Sequence, residues 1–181
     1  RKDEIWVSKS GLITIAGGKL TGYRKMAEDT VDESVRLLGI SAKATSEDIP
    51  LPGGDFSGGA GALTSRLAND HQMTESRARR LTRLYGSESE AILELGAAPV
   101  AAESDILSGE LLWAVRMEGA VSLEDVIYRR TRAAYYKPEE TISILENASS
   151  IIASELAWSE ERRLTEIATV KDRFGVDNKI V

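Results

Sequence analysis

Ile13-Thr14-Ile15-Ala16-Gly17-Gly18-Lys19-Leu20-Thr21-Gly22-Tyr23-Arg24 is an alternating, strand-like run that passes through two glycines into a helical pattern. Such a junction gathers three positive features at one point: unpaired N–H groups of a helix start, the positive end of the helix dipole, and the Lys19 ammonium. An electron-rich or anionic group fits there. Two glycines also leave the approach free of side chains. The spacing matches neither a Walker loop nor a Gly-x-Gly-x-x-Gly fingerprint, so nucleotide binding by those mechanisms is not indicated. On the residues alone two readings stand. One is a receptor for such a group; the other is a tight strand-to-helix turn with a solvated lysine, which Gly-Gly turns commonly are.

Outward from this junction, residues 5–7 and 11–16 read as two short strands joined by the turn-forming Ser8-Lys9-Ser10-Gly11, a hairpin. From Leu20 to Leu38 the period becomes helical, with Leu20, Tyr23, Ala27, Val31, Val35 and Leu38 on one stripe and Gly39 as the stop. Residues 40–61, with Pro50, Pro52 and five glycines, read as a linker. The rest reads as helices: Ala62–His71, Glu75–Tyr85 capped by Thr74, Glu88–Leu95 capped by Ser87, Ser108–Met117, Leu123–Tyr135 capped by Ser122, Pro138–Ala157, and a last helix from Ser159 to Phe174 closed by Gly175. The expected fold is mainly α: residues 1–39 a hairpin and long helix, 40–61 a linker, 62–181 a multi-helix domain.

Composition narrows the chemistry. The 181 residues carry a net charge of −6, one histidine and no cysteine. Disulfides, thiolate chemistry and cysteine-held metals are excluded, and a histidine metal site or a Ser-His-Asp triad has little to build on. The acidic balance argues against a nucleic-acid partner. No apolar run approaches the roughly 20 residues that span a bilayer, and no signal peptide is visible. The first residue, Arg1, is not methionine, and the expectation is therefore an excised or processed piece.

Gly11–Asp29 closely resembles the C-terminal end of the flavin domain in FAD-dependent glycerol-3-phosphate dehydrogenases. Trp113–Arg132, containing Trp-Ala-Val-Arg-Met-Glu-Gly-Ala and Arg-Arg-Thr-Arg, is similar to the helical signature of the same family's C-terminal domain. Leu51-Pro-Gly-Gly54 and Leu156-Ala-Trp-Ser159 agree in order and spacing. The resemblance implies that residues 1–39 end an FAD-binding α/β domain and that 62–181 form its helical cap. It also implies that Gly18, Lys19, Leu20 and Thr21 contact FAD, with Lys19 also able to meet the substrate phosphate. Gly22 departs from the pattern, since many members carry a second threonine there. The implied reaction oxidises sn-glycerol 3-phosphate to dihydroxyacetone phosphate, with FAD as hydride acceptor and a quinone beyond it. The implied setting is cytoplasmic, open to peripheral contact with the inner face of the cell membrane and to homo-oligomers. By itself the chain is expected to lack both FAD and activity. A reading from another class is a stand-alone helical module binding protein or nucleic acid.

Glu118, Glu124, Asp125, Arg129, Arg130 and Arg132 read first as an ion-pair network and second as a phosphate- or partner-binding patch. Arg77, Arg79, Arg80 and Arg83 superficially resemble a recognition helix but lack stacking aromatics. Trp113, Trp158, Tyr135 and Tyr136 read as packing anchors, and His71 as a surface or structural residue.

Overall fold

The computed structural model describes residues 2–102 and 104–178, and the predicted domain limits at 1 and 181 lie outside them. The chain divides into two compact units, Arg1–Leu51 and Pro52–Val181.

In the first unit, β1 (Asp3–Val7) and β2 (Ile13–Gly17) pair antiparallel, with Asp3 opposite Gly17 and Val7 opposite Ile13. The turn is closed by the Ser8 amide donating to the Leu12 carbonyl at 2.9 Å and the Gly11 amide to the Ser8 carbonyl at 3.0 Å. The chain then makes one 3-10 turn, Leu20–Gly22, before α1 (Tyr23–Leu38). Gly39 ends α1 at φ 66°, as a C′ glycine does. The expected helix start at Leu20 is therefore a tighter turn, because Gly22 at φ −93°, ψ 4° keeps the first three residues out of the α-helical ladder. No residue of β1, β2 or α1 is fully buried. The stripe of α1 is laid out as the pattern requires, yet it lies open.

The second unit holds α2 (Gly59–Asp70), α3 (Glu75–Tyr85), α4 (Ser89–Leu95), α5 (Ser108–Arg116), α6 (Ala133–Tyr136), α7 (Pro138–Glu155) and α8 (Glu160–Asp177). Two apolar clusters hold it. Leu63, Leu67, Leu81, Tyr85, Ile92 and Trp113 join α2 to α5. Leu111, Leu123, Ile127, Ile144, Ile152 and Val170 join α5 to α7 and α8. Helix α5 serves both, with Trp113 in one and Leu111 in the other. Burial of this kind contributes roughly 1.5–3 kcal/mol per large side chain.

Several local readings hold and several change. The Thr74 and Ser159 hydroxyls accept from the Arg77 and Arg162 amides, as N-caps should. Ser87 does not cap α4, because Gly86–Glu88 forms a 3-10 turn and α4 starts at Ser89. At α5 the expected Ser108 start is capped by Glu110 instead, whose carboxylate accepts the Leu107 amide at 2.8 Å. Gly175 does not stop α8: an added Cβ would meet nothing there, so the exposed glycine simply continues the helix to Asp177. Part of the stretch read as a linker is structured. Gly53 accepts the Ser87 amide at 3.0 Å, and Gly86 at φ 54° lies so close to the Gly53 carbonyl that neither position has room for a side chain. α2 correspondingly begins at Gly59, three residues early. No described helix is long and apolar enough to cross a membrane.

Candidate functional site

Gly17 and Gly18 sit at φ 93° and 73°, a left-handed region that L side chains rarely adopt. Their role differs from a cleared approach path. A Cβ on Gly17 would come 2.6 Å from the Lys2 carbonyl oxygen, and one on Gly18 2.5 Å from the Met26 sulfur. Gly17 is required by close backbone packing against Lys2, and Gly18 by its left-handed backbone with the movable Met26 side chain beside it, as β2 turns sharply against α1. Met26 was missed in the sequence as the floor of this turn; its place one helical turn after Gly22 was the available signal.

The turn delivers Lys19 in extended geometry, φ −138° and ψ 151°, as the cap of the 3-10 turn. The first internal bonds run from the Gly22 amide to the Lys19 carbonyl at 2.9 Å and from the Tyr23 amide to that of Leu20. The Leu20 and Thr21 amides therefore have no partner among the described residues. Lys19 is exposed and unpaired among the described residues, beside the positive end of α1, where a cation is slightly disfavoured. Two hollows flank the turn. One, of about 660 Å³, is an open apolar trough walled by Ile15, Leu20, Tyr23, Met26, Ala27 and Val31. The other is polar and meets Lys19, Thr21, Lys25 and Asp29. Lys25 is held by Glu28 at 2.8 Å and Asp29 at 3.0 Å, and the hydrogen bonds it donates to these carboxylates push its pKa well above the ordinary value. Lys19 thus stands apart from the ion pairs of α1. Leu20 is 88% exposed, an apolar side chain offered to something that covers it. At Gly22 a Cβ would touch only the Met26 sulfur, at 4.0 Å, so a threonine would fit there.

In the second unit the charged groups separate into two kinds. Arg129 is tied to Glu124 and to Asp125 at 2.9 Å, and Arg130 donates to the Glu118 carbonyl at 2.9 Å, as a network reading requires. Ser122 and Asp125 form the expected reciprocal cap, with 3.0 and 3.1 Å bonds. The helix after it is not continuous. Asp125–Arg130 is a π-helical turn, and Arg132 at φ 56° breaks the chain before the short α6. Arg132 has no partner among the described residues, nor does Arg83 on α3. The other α3 arginines are occupied: Arg77 by the Ser104 carbonyl, Arg79 by Glu75, Arg80 by Glu110. Glu110, fully buried, was not singled out in the sequence. It accepts from Arg80 and from the Leu107 amide at 2.8 Å each and from Tyr85 at 2.9 Å. His71 meets Glu90 at 2.7 Å on the surface of α2. Trp113 is a core anchor and Trp158 packs partly against the larger cluster, with Arg162 over its ring at 4.7 Å. Tyr136 is exposed instead, whereas Tyr135, though mostly exposed, packs edge-on against Tyr128 at 5.4 Å and accepts from Arg173 at 3.4 Å.

Comparison with known proteins places this architecture. Residues 44–163 match the family described as the C-terminal domain of alpha-glycerophosphate oxidase. The chain belongs to this family. The aerobic glycerol-3-phosphate dehydrogenase of Staphylococcus saprophyticus is 32% identical, over 88% of this chain and 31% of the relative. The mitochondrial glycerol-3-phosphate dehydrogenase of Rattus norvegicus is 33% identical, over 93% of this chain and 24% of the relative. The crystal structure of the Bacillus halodurans glycerol-3-phosphate dehydrogenase complexed with FAD superposes with a TM-score of 0.76 at 30% identity, covering 94% of this chain and 36% of that one. The chain thus spans about a third or less of the length of these relatives. The resemblance drawn from the two sequence motifs is borne out, and so is the mainly helical fold with its short hairpin.

Proposed function

We propose that this chain supplies one wall of the flavin site and the helical cap of an FAD-dependent glycerol-3-phosphate dehydrogenase. The observation that carries the proposal is the turn of Gly18, Lys19, Leu20 and Thr21. Among the described residues the Leu20 and Thr21 amides and the Lys19 ammonium have no partner, and the backbone that carries them is set by left-handed glycines. The donor set fits FAD, because amide donors and a cation lie beside an open apolar trough of about 660 Å³. Bound FAD would accept a hydride as sn-glycerol 3-phosphate is oxidised to dihydroxyacetone phosphate. The chain's own part is electrostatic. With FAD held against this turn, the Leu20 and Thr21 amides and the α1 dipole would stabilise negative charge on the reduced ring, and a rigid turn would do so without reorganising. Leu20 and Tyr23 exclude water from the adjoining face. Lys19 attracts the dianionic substrate or steadies the same charge.

A quinone as onward acceptor, a cytoplasmic place in peripheral contact with the inner face of the cell membrane, and assembly with copies of itself belong to the same proposal. They rest on the family resemblance. The test is Lys19→Gln in the full-length flavoenzyme. Loss of a charge-assisted hydrogen bond predicts a fall of about 10–100-fold in kcat/KM for glycerol 3-phosphate. Unchanged kinetics together with an unchanged flavin spectrum would remove Lys19 from the site. The 181-residue chain alone is expected to purify without flavin absorbance, and stoichiometric FAD on it would refute the one-wall reading.

A further inference from the structure

Within the helical unit, the end of α3 and the segment around α6 enclose a cleft of about 460 Å³ that includes Arg83, Glu118, Arg130, Arg132 and Tyr136. In a chain with net charge −6 this is a concentrated positive site. Two of its guanidinium groups, Arg83 and Arg132, have no hydrogen bond or ion pair among the described residues, although most arginines of this protein are paired. Unpaired arginines converging on one concave space repel each other, and that arrangement favours an anion between them.

The backbone gives an independent reason. Arg132 occupies φ 56°, ψ 26°, a conformation glycine or asparagine adopts more readily, immediately after a π-helical turn. Strained backbone and π-turns concentrate where a side chain has a task. Here the strain breaks the helix so that the Arg132 side chain and the exposed Tyr136 both line the cleft. The lining carboxylate of Glu118 faces Arg130 at 3.9 Å, and Arg130 also donates to the Glu118 carbonyl at 2.9 Å, so that carboxylate is matched by Arg130 and leaves the charges of Arg83 and Arg132 in the cleft.

We infer that this cleft binds a phosphate group, with Arg83 and Arg132 as its principal ligands and the Tyr136 hydroxyl as a further donor. Planar guanidinium forks match phosphate oxygens bidentately. The phosphate can be free or carried on a lipid headgroup, and the chemistry at the site is the same.

The experiment uses the 181-residue chain. Isothermal titration with pyrophosphate and with inorganic phosphate is expected to show saturable binding. Arg83→Gln and Arg132→Gly are each expected to weaken it by about tenfold or more, whereas Arg116→Gln, which breaks a pair with Glu155 elsewhere on the unit, leaves it unchanged. Arg132→Gly relieves the left-handed strain, so its melting temperature should hold or rise while binding is lost. That combination separates a ligand from a structural arginine. Co-sedimentation with phosphatidylcholine vesicles containing phosphatidic acid distinguishes the sources: capture that both cleft variants abolish identifies a headgroup, and no capture alongside phosphate binding identifies a free anion. Absence of saturable binding to every probe, or wild-type binding by both cleft variants, would overturn the inference.

Discussion

Replacing Glu110 by alanine tests how the helical unit is held together. The Glu110 side chain is 0% exposed and accepts three bonds, from Arg80 at 2.8 Å, the Leu107 amide at 2.8 Å and the Tyr85 hydroxyl at 2.9 Å. Arg80 is itself only 18% exposed. Burial and the nearby Glu110 carboxylate keep the Tyr85 hydroxyl well above its ordinary pKa, so it stays a donor. Alanine leaves a nearly buried guanidinium without its counter-charge, an uncapped α5 and an unpaired hydroxyl. Removing one partner of such a pair costs about 3–5 kcal/mol. For a unit of this size that is a fall in melting temperature of roughly 10–20 °C. Glu110→Gln keeps an acceptor for the Leu107 amide and loses the charge, so its cost should lie near 1.5–3 kcal/mol. Pairing Glu110→Leu with Arg80→Met removes both charges and should recover more than half of the alanine loss, because a buried ion pair is worth little against apolar groups of similar volume. Thermal and urea denaturation followed by circular dichroism would measure all three. If the alanine variant melts within about 1 kcal/mol of the parent, the pair is solvated and the reasoning fails.

Two further outcomes follow from the same geometry. Burial pushes the Asp125 carboxyl up, but the Val121 amide, Ser122 and Arg129 outweigh it and leave the folded-state pKa below the ordinary 3.8. A depressed folded value stabilises above the unfolded pKa and is lost as pH falls through the folded one. Acid titration of stability should therefore steepen below about pH 4, and Asp125→Asn should flatten that part of the curve; an unchanged acid limb would assign it to other carboxylates. Residues 2–39 contain no fully buried side chain, so their amides should exchange with deuterium far faster than those of α5 and α7 when the chain is studied alone. Equal protection in both regions would show that the first unit has found a partner surface.

Much of the architecture is local and was legible. The hairpin follows from alternation and the Ser-Lys-Ser-Gly turn, α1 and α7 from their apolar period, and the caps at Thr74, Ser122 and Ser159 from short polar side chains ahead of helical runs. These features depend on residues within four or five positions of each other, which a sequence displays directly. Gly17 and Gly18 were recognised as special for the same reason, although not why. Only the fold brings the Lys2 backbone against Gly17, where it leaves no room for a side chain, and the Met26 side chain against Gly18.

What the tertiary structure decided depends on residues far apart in the chain. Whether Arg129 and Arg130 are bound while Arg83 and Arg132 have no partner among the described residues is settled by which helices meet, not by their spacing in Arg-Arg-Thr-Arg. Glu110 reads as an ordinary helix residue until Arg80 and Tyr85, twenty-five or more positions away, close over it. Gly53 likewise reads as linker until it docks on the end of α3. Periodicity and caps record the short-range energies of the backbone. Charge pairing, burial and close backbone approach are set by packing, and the sequence carries them only once folded.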